Sequence, residues 1–132
     1  MDTFVKLGAI LGFLEERMSE VLGDLSYTDY LILKELVQSE VPQTPTTLAR
    51  AANKVPTSFT PILDKLEKKK FLKRRPNKLD RRSVNIKPVN KVKIAKLIAE
   101  LEPKVNEVLN RYFTSEERAL VDTLHARLYP VD

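Results

Sequence analysis

Apolar residues recur at alternating intervals of three and four along the first 25 residues of the chain. That spacing places them on one side of an α-helix, so it predicts an amphipathic helix. Gly23 marks the predicted end, because glycine readily takes the left-handed backbone conformation that closes helices. The apolar positions are Phe4, Leu7, Leu11, Leu14, Met18, Val21 and Leu25.

A second amphipathic helix is predicted to begin after residue 26. Ser26 is a suitable N-cap, and Asp29 lies in the first turn, where a negative charge interacts favourably with the helix dipole. The helix should end before residues 41–45, whose sequence Val-Pro-Gln-Thr-Pro interrupts the pattern. Its apolar face consists of Tyr30, Leu33, Leu36 and Val37.

A short helix followed by a tight turn is predicted next. Thr44 and Pro45 fit an N-cap and a first helical residue, since proline is favoured at that position. Asn53 suits the turn that follows, because asparagine tolerates a positive φ. The inner side of this helix carries small and apolar residues, as expected where two helices cross closely: Leu48, Ala49 and Ala52.

A further short helix is predicted beyond this turn, with Thr57 or Ser58 as its N-cap. It should extend to about Lys69. Proline has no backbone N–H, so we expect Pro61 to lie within about the first turn of this helix. The residues expected to face inward are Phe59, Ile62, Leu63 and Leu66.

Two short strands are then predicted over residues 71–75 and 83–87, the second of which alternates strictly between polar and apolar residues. Residues 76–82 between them form a polar loop that contains proline, asparagine and aspartate, which are typical of turns. Two strands joined in this way predict a β-hairpin that projects from the helical body.

The last third of the chain is again predicted to be helical. Asn90 can cap a long helix, in which Pro103 should produce a kink or a split near Ala99. Thr114 and Glu117 form a capping box for a final helix. The apolar stripe of the long helix is Ile94, Leu97, Leu101, Val105, Val108 and Tyr112, and that of the final helix is Leu120, Val121, Leu124 and Leu128.

The positive charge of the chain is concentrated in one segment. The whole chain carries a net charge of +5, whereas residues 65–82 contain ten basic and two acidic residues and carry +8. The remaining residues carry −3. Such localisation is typical of an element that binds a polyanion, although a solvated charge run would give the same pattern.

The composition excludes several classes of protein. The 132 residues fit a single domain, and 42% apolar residues suffice for a core. The chain has no apolar run long enough for a membrane span, and Lys6, Glu15 and Glu16 do not suit a signal peptide, so we expect a cytoplasmic protein. The absence of cysteine excludes disulfides, thiolate metal sites and thiol redox sensing. With only one histidine, His125, and no glycine-rich phosphate loop, we expect neither an enzyme nor a cofactor.

The order helix, turn, helix and basic hairpin is typical of a winged helix-turn-helix. In this fold the second short helix presents its N-terminal half to base edges, which makes Thr57, Ser58 and Thr60 candidate base contacts. Basic side chains nearby are candidates for contacts with phosphates or other parts of DNA. These residues are Lys65, Lys68, Lys69 and Arg74.

Residues 66–76, Leu-Glu-Lys-Lys-Lys-Phe-Leu-Lys-Arg-Arg-Pro, followed by Asp80-Arg81-Arg82, resemble the MarR family of transcriptional regulators. The resemblance covers residues 26–88 well and extends loosely to the flanking helices. It implies an obligate homodimer on double-stranded DNA, with the recognition helix in the major groove. It also implies that Arg82 enters the minor groove, that Asp80 orients Arg82, and that Arg81 and Lys78 contact the DNA backbone.

The resemblance further implies a small aromatic or phenolic effector, as in many members of the family. The chain departs from the family pattern at Lys70, where glycine is usual, at Pro61, where a basic residue is common, and at residues 88–92 after the wing. These departures leave two alternatives open: a winged-helix module that binds an acidic protein partner, and a non-specific architectural DNA-binding protein.

The sequence therefore predicts a mainly α fold with a small β-hairpin wing, in a single domain over residues 1–132. The DNA-binding lobe should span about residues 26–88. Helices over residues 3–22 and about 91–128 should flank it and form the dimer. The expected partners are DNA and a second copy of the chain, and we expect no interaction with membranes.

Overall fold

The computed structural model of the protein describes residues 1–53 and 59–131. Within these ranges the chain forms helices at both ends around a small helical lobe with one hairpin. The elements are α1 (Thr3–Leu22), α2 (Tyr27–Gln38), α3 (Pro45–Ala51), α4 (Thr60–Lys68), β1 (Leu72–Pro76), β2 (Val84–Pro88), α5 (Lys91–Tyr112) and α6 (Ser115–Leu128). No helix in the described ranges is both long enough and apolar enough to cross a membrane.

Four of the predicted helix starts are confirmed, because the side chain of each predicted N-cap accepts a hydrogen bond from the first helical turn. Ser26 accepts from Asp29 N, and the Asp29 carboxylate accepts from Ser26 N in return, which completes a capping box. Capping boxes of the same kind begin α3 and α6. The four confirmed caps are Ser26, Thr44, Asn90 and Thr114.

The start of α4 differs from the prediction that Thr57 or Ser58 caps it. The helix begins at Thr60, its N-cap is Phe59, and the cap has no side-chain hydrogen bond. Phe59 is fully buried. Burying a phenyl ring stabilises a fold by about 1.5–3 kcal/mol, more than the roughly 1 kcal/mol of a hydroxyl cap. Burial of Phe59 therefore fixes where the helix starts, while Thr57 and Ser58 lie outside the described residues.

Three residues in the described ranges have the positive φ that closes a helix or a turn. Gly23 ends α1 with φ +66° and Asn53 follows α3 with φ +57°, as predicted for both. Lys70 has φ +66°, at the position where the family usually has glycine. Lysine has a Cβ, so this conformation costs it about 1–2 kcal/mol that glycine would not lose. The turn between α4 and β1 is thus formed by a strained residue.

Helix α5 continues through Pro103 as one helix from Lys91 to Tyr112, so the prediction that proline could split it is wrong. Proline cannot donate the hydrogen bond to Ala99, but Ala99 is exposed and water can satisfy its carbonyl group. Buried residues on both sides of the proline, Leu101 and Val108, hold the two halves of the helix on the same core.

The hairpin strands pair in antiparallel register, with Leu72 opposite Pro88 and Pro76 opposite Val84. Each strand begins one residue later than predicted. The reason lies at Phe71, whose backbone N–H donates to Leu66 O at 3.0 Å and so completes the end of α4 rather than the strand. Leu72 and Ile86 are then the hairpin residues that enter the core.

The core lies between α2 and the elements that surround it. Its least exposed members come from the second, third and fourth helices and from the hairpin, so burial of apolar area holds the lobe together. The fully buried apolar side chains are Ile32, Leu33, Leu48, Ala49, Phe59, Leu66 and Ile86.

In contrast to the lobe, the two ends of the chain leave apolar side chains open to solvent. No residue of α6 is buried. The N-terminal half of α1 is also exposed, with Phe4 85% exposed. Exposed apolar stripes of this size indicate an interaction surface rather than a solvent-facing helix. The exposed residues of α6 are Leu120, Val121, Leu124 and Leu128.

Candidate nucleic-acid interface

The helix-turn-helix consists of α3 and α4 with the turn that begins at Asn53. Ala49 and Ala52 are 0% and 1% exposed, so the inner side of α3 is buried in the lobe, as predicted. In α4, Phe59, Leu63 and Leu66 face the core, as predicted, and Ile62 is half-buried. One side of α4 is therefore fixed on the lobe and the other is open.

The open side of α4 begins with Thr60 and Pro61, which are both exposed. Pro61 lies in the first turn, as predicted, where the missing N–H removes no hydrogen bond. Thr60 is thus the only one of the three predicted base-contacting residues that falls within the described ranges, and it lies at the N-terminal end of the helix.

The C-terminal half of α4 is tied to the body of the protein. Lys65 Nζ lies 2.6 Å from Asp29 Oδ2, and the Asp29 side chain is 1% exposed. One turn later, Lys69 Nζ lies 3.5 Å from the carbonyl oxygen of Asp24, in the connection between α1 and α2. Lys68 is exposed. Of these three predicted DNA contacts, two lysines have protein partners.

The wing is attached to the lobe through its second strand. Gln43, which precedes α3, exchanges two backbone hydrogen bonds with Ile86: Gln43 N donates to Ile86 O at 3.1 Å, and Ile86 N donates to Gln43 O at 2.6 Å. The Gln43 side chain also donates to Ser39 Oγ. This bridge holds β2 against the start of the helix-turn-helix.

The loop at the tip of the wing is organised by Asn77. Its Oδ1 accepts hydrogen bonds from Leu79 N at 2.9 Å and from Asp80 N at 3.3 Å. The Asn77 N–H donates to Ser83 O at 3.0 Å, which closes the base of the loop. An asparagine that bonds backbone groups two and three residues ahead is a common way to order a turn. The loop therefore has a defined backbone.

Within this loop, Asp80 contacts Arg82 as the resemblance implied. Asp80 Oδ1 accepts a hydrogen bond from Arg82 N at 3.1 Å and lies 3.5 Å from Arg82 Nε. The Arg82 side chain is nevertheless 94% exposed. Lys78 and Arg81 are also exposed. The tip thus presents three cations to solvent, and a carboxylate lies beside one of them.

Arg74, in the middle of β1, has a different environment. Its Nη2 lies 2.7 Å from Glu67 Oε2 and 2.6 Å from Asp64 Oδ1, and both carboxylates belong to α4. The hydrogen bonds from Arg74 hold the pKa of Glu67 below its usual range and raise that of the guanidinium. Arg74 is therefore paired within the protein.

Sequence reasoning missed the partners of these basic residues. Asp29 lies 36 positions from Lys65, and nothing in the local pattern joins them. For Arg74 a signal was present, since Glu67 is one of two acidic residues in the basic segment 65–82. A lone carboxylate among many cations should be expected to pair with one of them. Arg75, exposed on β1, was also not singled out.

The family comparison agrees with this geometry. Residues 25–84 match the model of the MarR family. That match covers α2, the helix-turn-helix, β1 and the wing loop as far as the start of β2. No curated protein matches the chain.

Solved structures extend the similarity to nearly the whole chain. A probable transcriptional regulator from Pseudomonas aeruginosa has a TM-score of 0.81 at 16% identity, over 96% of both chains. A mutant MarR from E. coli complexed with operator DNA has a TM-score of 0.73 at 21% identity, over 98% of this chain and 100% of that one. The organohalide-sensing regulator RdhR-CbdbA1625, bound to 2,4-dichlorophenol, has a TM-score of 0.76 at 23% identity, over 95% of this chain and 76% of that one.

At these identities the structural matches show a shared fold, which confirms the prediction of a mainly helical protein with a two-stranded wing. The family model independently matches the segment that carries the helix-turn-helix and most of the wing. The segment that carries the helix-turn-helix and most of the wing therefore matches the MarR family, and the chain has a winged helix-turn-helix fold.

Proposed function

We propose that the protein is a homodimeric, cytoplasmic transcriptional regulator that binds a pseudo-palindromic operator. The observation that carries the proposal is Arg82, which is 94% exposed on an ordered wing beside the helix-turn-helix. The net charge of +8 over residues 65–82 attracts a polyanion to this side of the lobe. A mutant MarR of the same fold is complexed with operator DNA, which supports the same class of partner here.

In this proposal the wing enters the minor groove, where a narrow groove concentrates negative potential and favours an arginine side chain. Arg82 is that side chain, and Asp80 limits the directions in which its guanidinium points. Arg81 and Lys78, both exposed, contact phosphates on either side. The wing thereby supplies affinity and a preference for groove shape rather than a base sequence.

The recognition helix reads bases through its N-terminal end. Thr60 is exposed there, and we assign base or phosphate contacts to it together with Thr57 and Ser58. Among the lysines of α4 we assign the phosphate contact to Lys68. The other candidates predicted from the sequence have protein partners in the structure, so we assign them supporting roles: Lys65, Lys69 and Arg74.

A second copy of the chain covers the exposed apolar surface of α1 and α6 in this proposal. The groove between α1, α5 and α6 has a volume of about 270 Å³ and is lined by Ile10, Leu14 and Leu109. An apolar side chain from a partner helix would fill it. The twofold axis of such a dimer should place the two half-sites about 34–36 Å apart on DNA.

Selection of bound sequences from a random DNA pool, followed by anisotropy titrations, tests this function. We expect an enriched palindrome. A plot of log K against log salt concentration should have a slope of about −0.9 for each phosphate contact. Arg82→Ala should weaken binding by about 1–3 kcal/mol. Lys104→Ala, which removes an exposed cation from α5, is the control and should bind as the wild type does.

The same titrations separate the alternatives. Absence of DNA binding even at low salt would overturn the proposal and favour a winged helix that binds an acidic protein. Binding without an enriched palindrome would favour a non-specific architectural protein. An unchanged affinity and salt slope in Arg82→Ala would remove the role that we assign to the wing.

We further propose that a small aromatic or phenolic anion regulates the protein, as the 2,4-dichlorophenol-bound form of RdhR-CbdbA1625 suggests for this fold. A cavity of about 440 Å³ lies between the end of α4 and the first turns of α5. Its apolar lining suits an aromatic ring, and its cationic side chains suit an anionic group. The apolar lining consists of Phe71, Ile94 and Leu97, and the polar lining consists of Lys69, Lys70, Lys93 and Lys96 with Asn90 and Glu100.

Amide chemical shifts recorded during titration with benzoate, 2,4-dichlorophenol and the neutral analogue benzyl alcohol test this second role. We expect saturable shifts at Phe71, Ile94 and Leu97 with benzoate and 2,4-dichlorophenol, weaker ones with benzyl alcohol, and a lower DNA affinity in the saturated protein. Shifts confined to other parts of the chain would place the effector elsewhere. An absence of saturable shifts would overturn the effector proposal.

A further inference from the structure

Arg74 makes the densest set of polar contacts between the wing and the recognition helix. Glu67 Oε1 accepts a hydrogen bond from the Arg74 backbone N–H at 3.1 Å, and Glu67 Oε2 accepts from Nε at 3.2 Å and from Nη2 at 2.7 Å. Asp64 Oδ1 lies 2.6 Å from the same Nη2. One arginine is thus held by two carboxylates that lie three positions apart on α4.

The backbone contact shows how the strand is held. Because the Arg74 N–H donates to Glu67, it points away from β2, at the free edge of the two-stranded sheet. Arg74 pairs across the sheet with Ile86, which is fully buried and bridged to Gln43. The Glu67 carboxylate therefore occupies the place of a third strand, and the middle of the hairpin is fixed on both of its edges.

The charges argue against a direct role for Arg74 on DNA. Its side chain is 27% exposed, and two carboxylates compensate its single positive charge, so the group of three carries −1. A phosphate would be repelled by this group rather than attracted. The next residue, Arg75, points to the other side of the strand and is exposed, with its Nη1 on the carbonyl oxygen of Arg74. Arg75 remains available to DNA.

We propose that Arg74 is a positioning residue, which clamps the wing to the recognition helix through Glu67 and Asp64, so that α4 and Arg82 meet DNA as one rigid unit. The inference rests on the proposed function for its effect on DNA, but the clamp itself is a property of the free protein. Without the clamp, the wing samples several orientations, and only the fraction aligned with α4 binds productively.

Residual dipolar couplings of the free protein test the clamp without DNA. In the wild type, one alignment tensor should fit the amides of α4 and of the two wing strands. In Arg74→Gln the couplings of the wing should shrink relative to those of α4. The exchange of charges in the double variant Glu67→Arg with Arg74→Glu should restore them at least in part. Unchanged couplings in Arg74→Gln would overturn the proposal, and the double variant Glu67→Gln with Asp64→Asn serves if that variant does not fold.

DNA footprints and salt titrations then test the consequence. We expect Arg74→Gln to bind DNA about tenfold more weakly. This is the loss expected if about one tenth of the molecules have the wing aligned with α4. Minor-groove protection from hydroxyl radicals should weaken more than protection of guanine N7 in the major groove, and the salt slope should not change. Arg75→Gln is the matched control: it should lower the salt slope and leave the dipolar couplings as they are.

The two sets of measurements distinguish the two ways of failing. If Arg74→Gln lowers the salt slope as Arg75→Gln does, Arg74 contacts phosphate directly and the clamp is wrong. If the wild type binds no DNA at all, the proposed function fails, whereas the dipolar couplings still decide whether the clamp exists.

Discussion

Lys65 Nζ in the recognition helix lies 2.6 Å from Oδ2 of Asp29, whose side chain is 1% exposed. The same carboxylate oxygen accepts the hydrogen bond from Ser26 N that caps α2. One buried acid thus serves two elements, the start of α2 and the middle of α4. The position of the recognition helix on the lobe is therefore coupled to the N-terminal cap of α2.

Replacing Lys65 with methionine should therefore destabilise the protein by about 1–3 kcal/mol, because a buried carboxylate loses one of its partners. Urea unfolding at a fixed protein concentration measures the change. Lys68→Met is the control, since Lys68 is exposed on the same helix, and it should alter stability by less than about 0.5 kcal/mol. Equal effects of the two substitutions would show that the contact with Asp29 adds nothing.

Lys70→Gly should stabilise the protein by about 1 kcal/mol, because glycine adopts φ +66° without the clash that a Cβ creates. Thermal unfolding measures this as a higher Tm. Lys69→Gly is the matched control: Lys69 has φ −78°, so glycine there relieves no strain and only increases the freedom of the unfolded chain. A lower Tm for both variants would contradict the account of the turn.

The pairing of Glu67 with Arg74 should depend on pH. Hydrogen bonds from Arg74 lower the pKa of Glu67 in the folded protein below its ordinary value of 4.5. The contribution of this group to stability is then fully present above that ordinary value and is lost as the pH falls through the folded pKa. The free energy of unfolding of Glu67→Gln should be lower than that of the wild type at pH 7, and the difference should shrink from about pH 4.5 downwards. A difference that is independent of pH would mean that the charge of Glu67 is irrelevant.

Two tyrosines of α2 should destabilise the fold at high pH. Burial raises the pKa of Tyr27 and of Tyr30 above 10.0, and the nearby charges of Glu15 and Glu102 respectively add to the effect. The folded state then holds these protons more tightly than the unfolded state, so stability falls as the pH rises from about 10 towards the folded pKa. Titration of tyrosinate absorbance near 295 nm checks the order of ionisation.

The exposed Tyr129 provides the comparison for this titration. Tyr129→Phe should leave the alkaline loss of stability unchanged. Tyr27→Phe and Tyr30→Phe should each reduce that loss. The opposite ranking would show that burial does not govern the ionisation of the two residues in α2.

Leu124→Glu should convert the dimer to a monomer, because it places a charge in the apolar stripe of α6 that we assign to the partner copy. Light scattering coupled to gel filtration gives the mass directly. Ala126→Glu, on the other side of the same helix, should leave the dimer intact. A dimer that persists in Leu124→Glu would mean that the second copy docks elsewhere.

Local chemistry explains why much of the lobe was predictable from sequence. Thr44 with Pro45 and the positive φ of Asn53 are determined by neighbours within a few residues, and these features define the helix-turn-helix. The same holds for the turn at Asn77, whereas the contact of Asp80 with Arg82 was expected from the family resemblance.

Long-range contacts explain what the sequence did not reveal. Lys65 is as basic as Lys68, and only the packing of α4 on α2 decides that Lys65 contacts Asp29. Arg74 is one of ten basic residues in its segment. Only the side of β1 that faces α4 decides that Arg74, and not Arg75, pairs with the carboxylates of that helix. The structure describes α4 from Thr60, with the buried Phe59 before it, and the predicted caps Thr57 and Ser58 lie outside the described residues.

Helix α6 has a further consequence for the protein at low concentration. It contains 14 residues, none of which is buried within the protomer. Isolated helices of about 12–15 residues are only marginally stable in water. In the dimer that we propose, the second copy covers α6, so folding of this helix should be coupled to assembly, and dilution below the dissociation constant should melt it first. Amide hydrogen exchange in α6 would then report whether the protein is a monomer or a dimer.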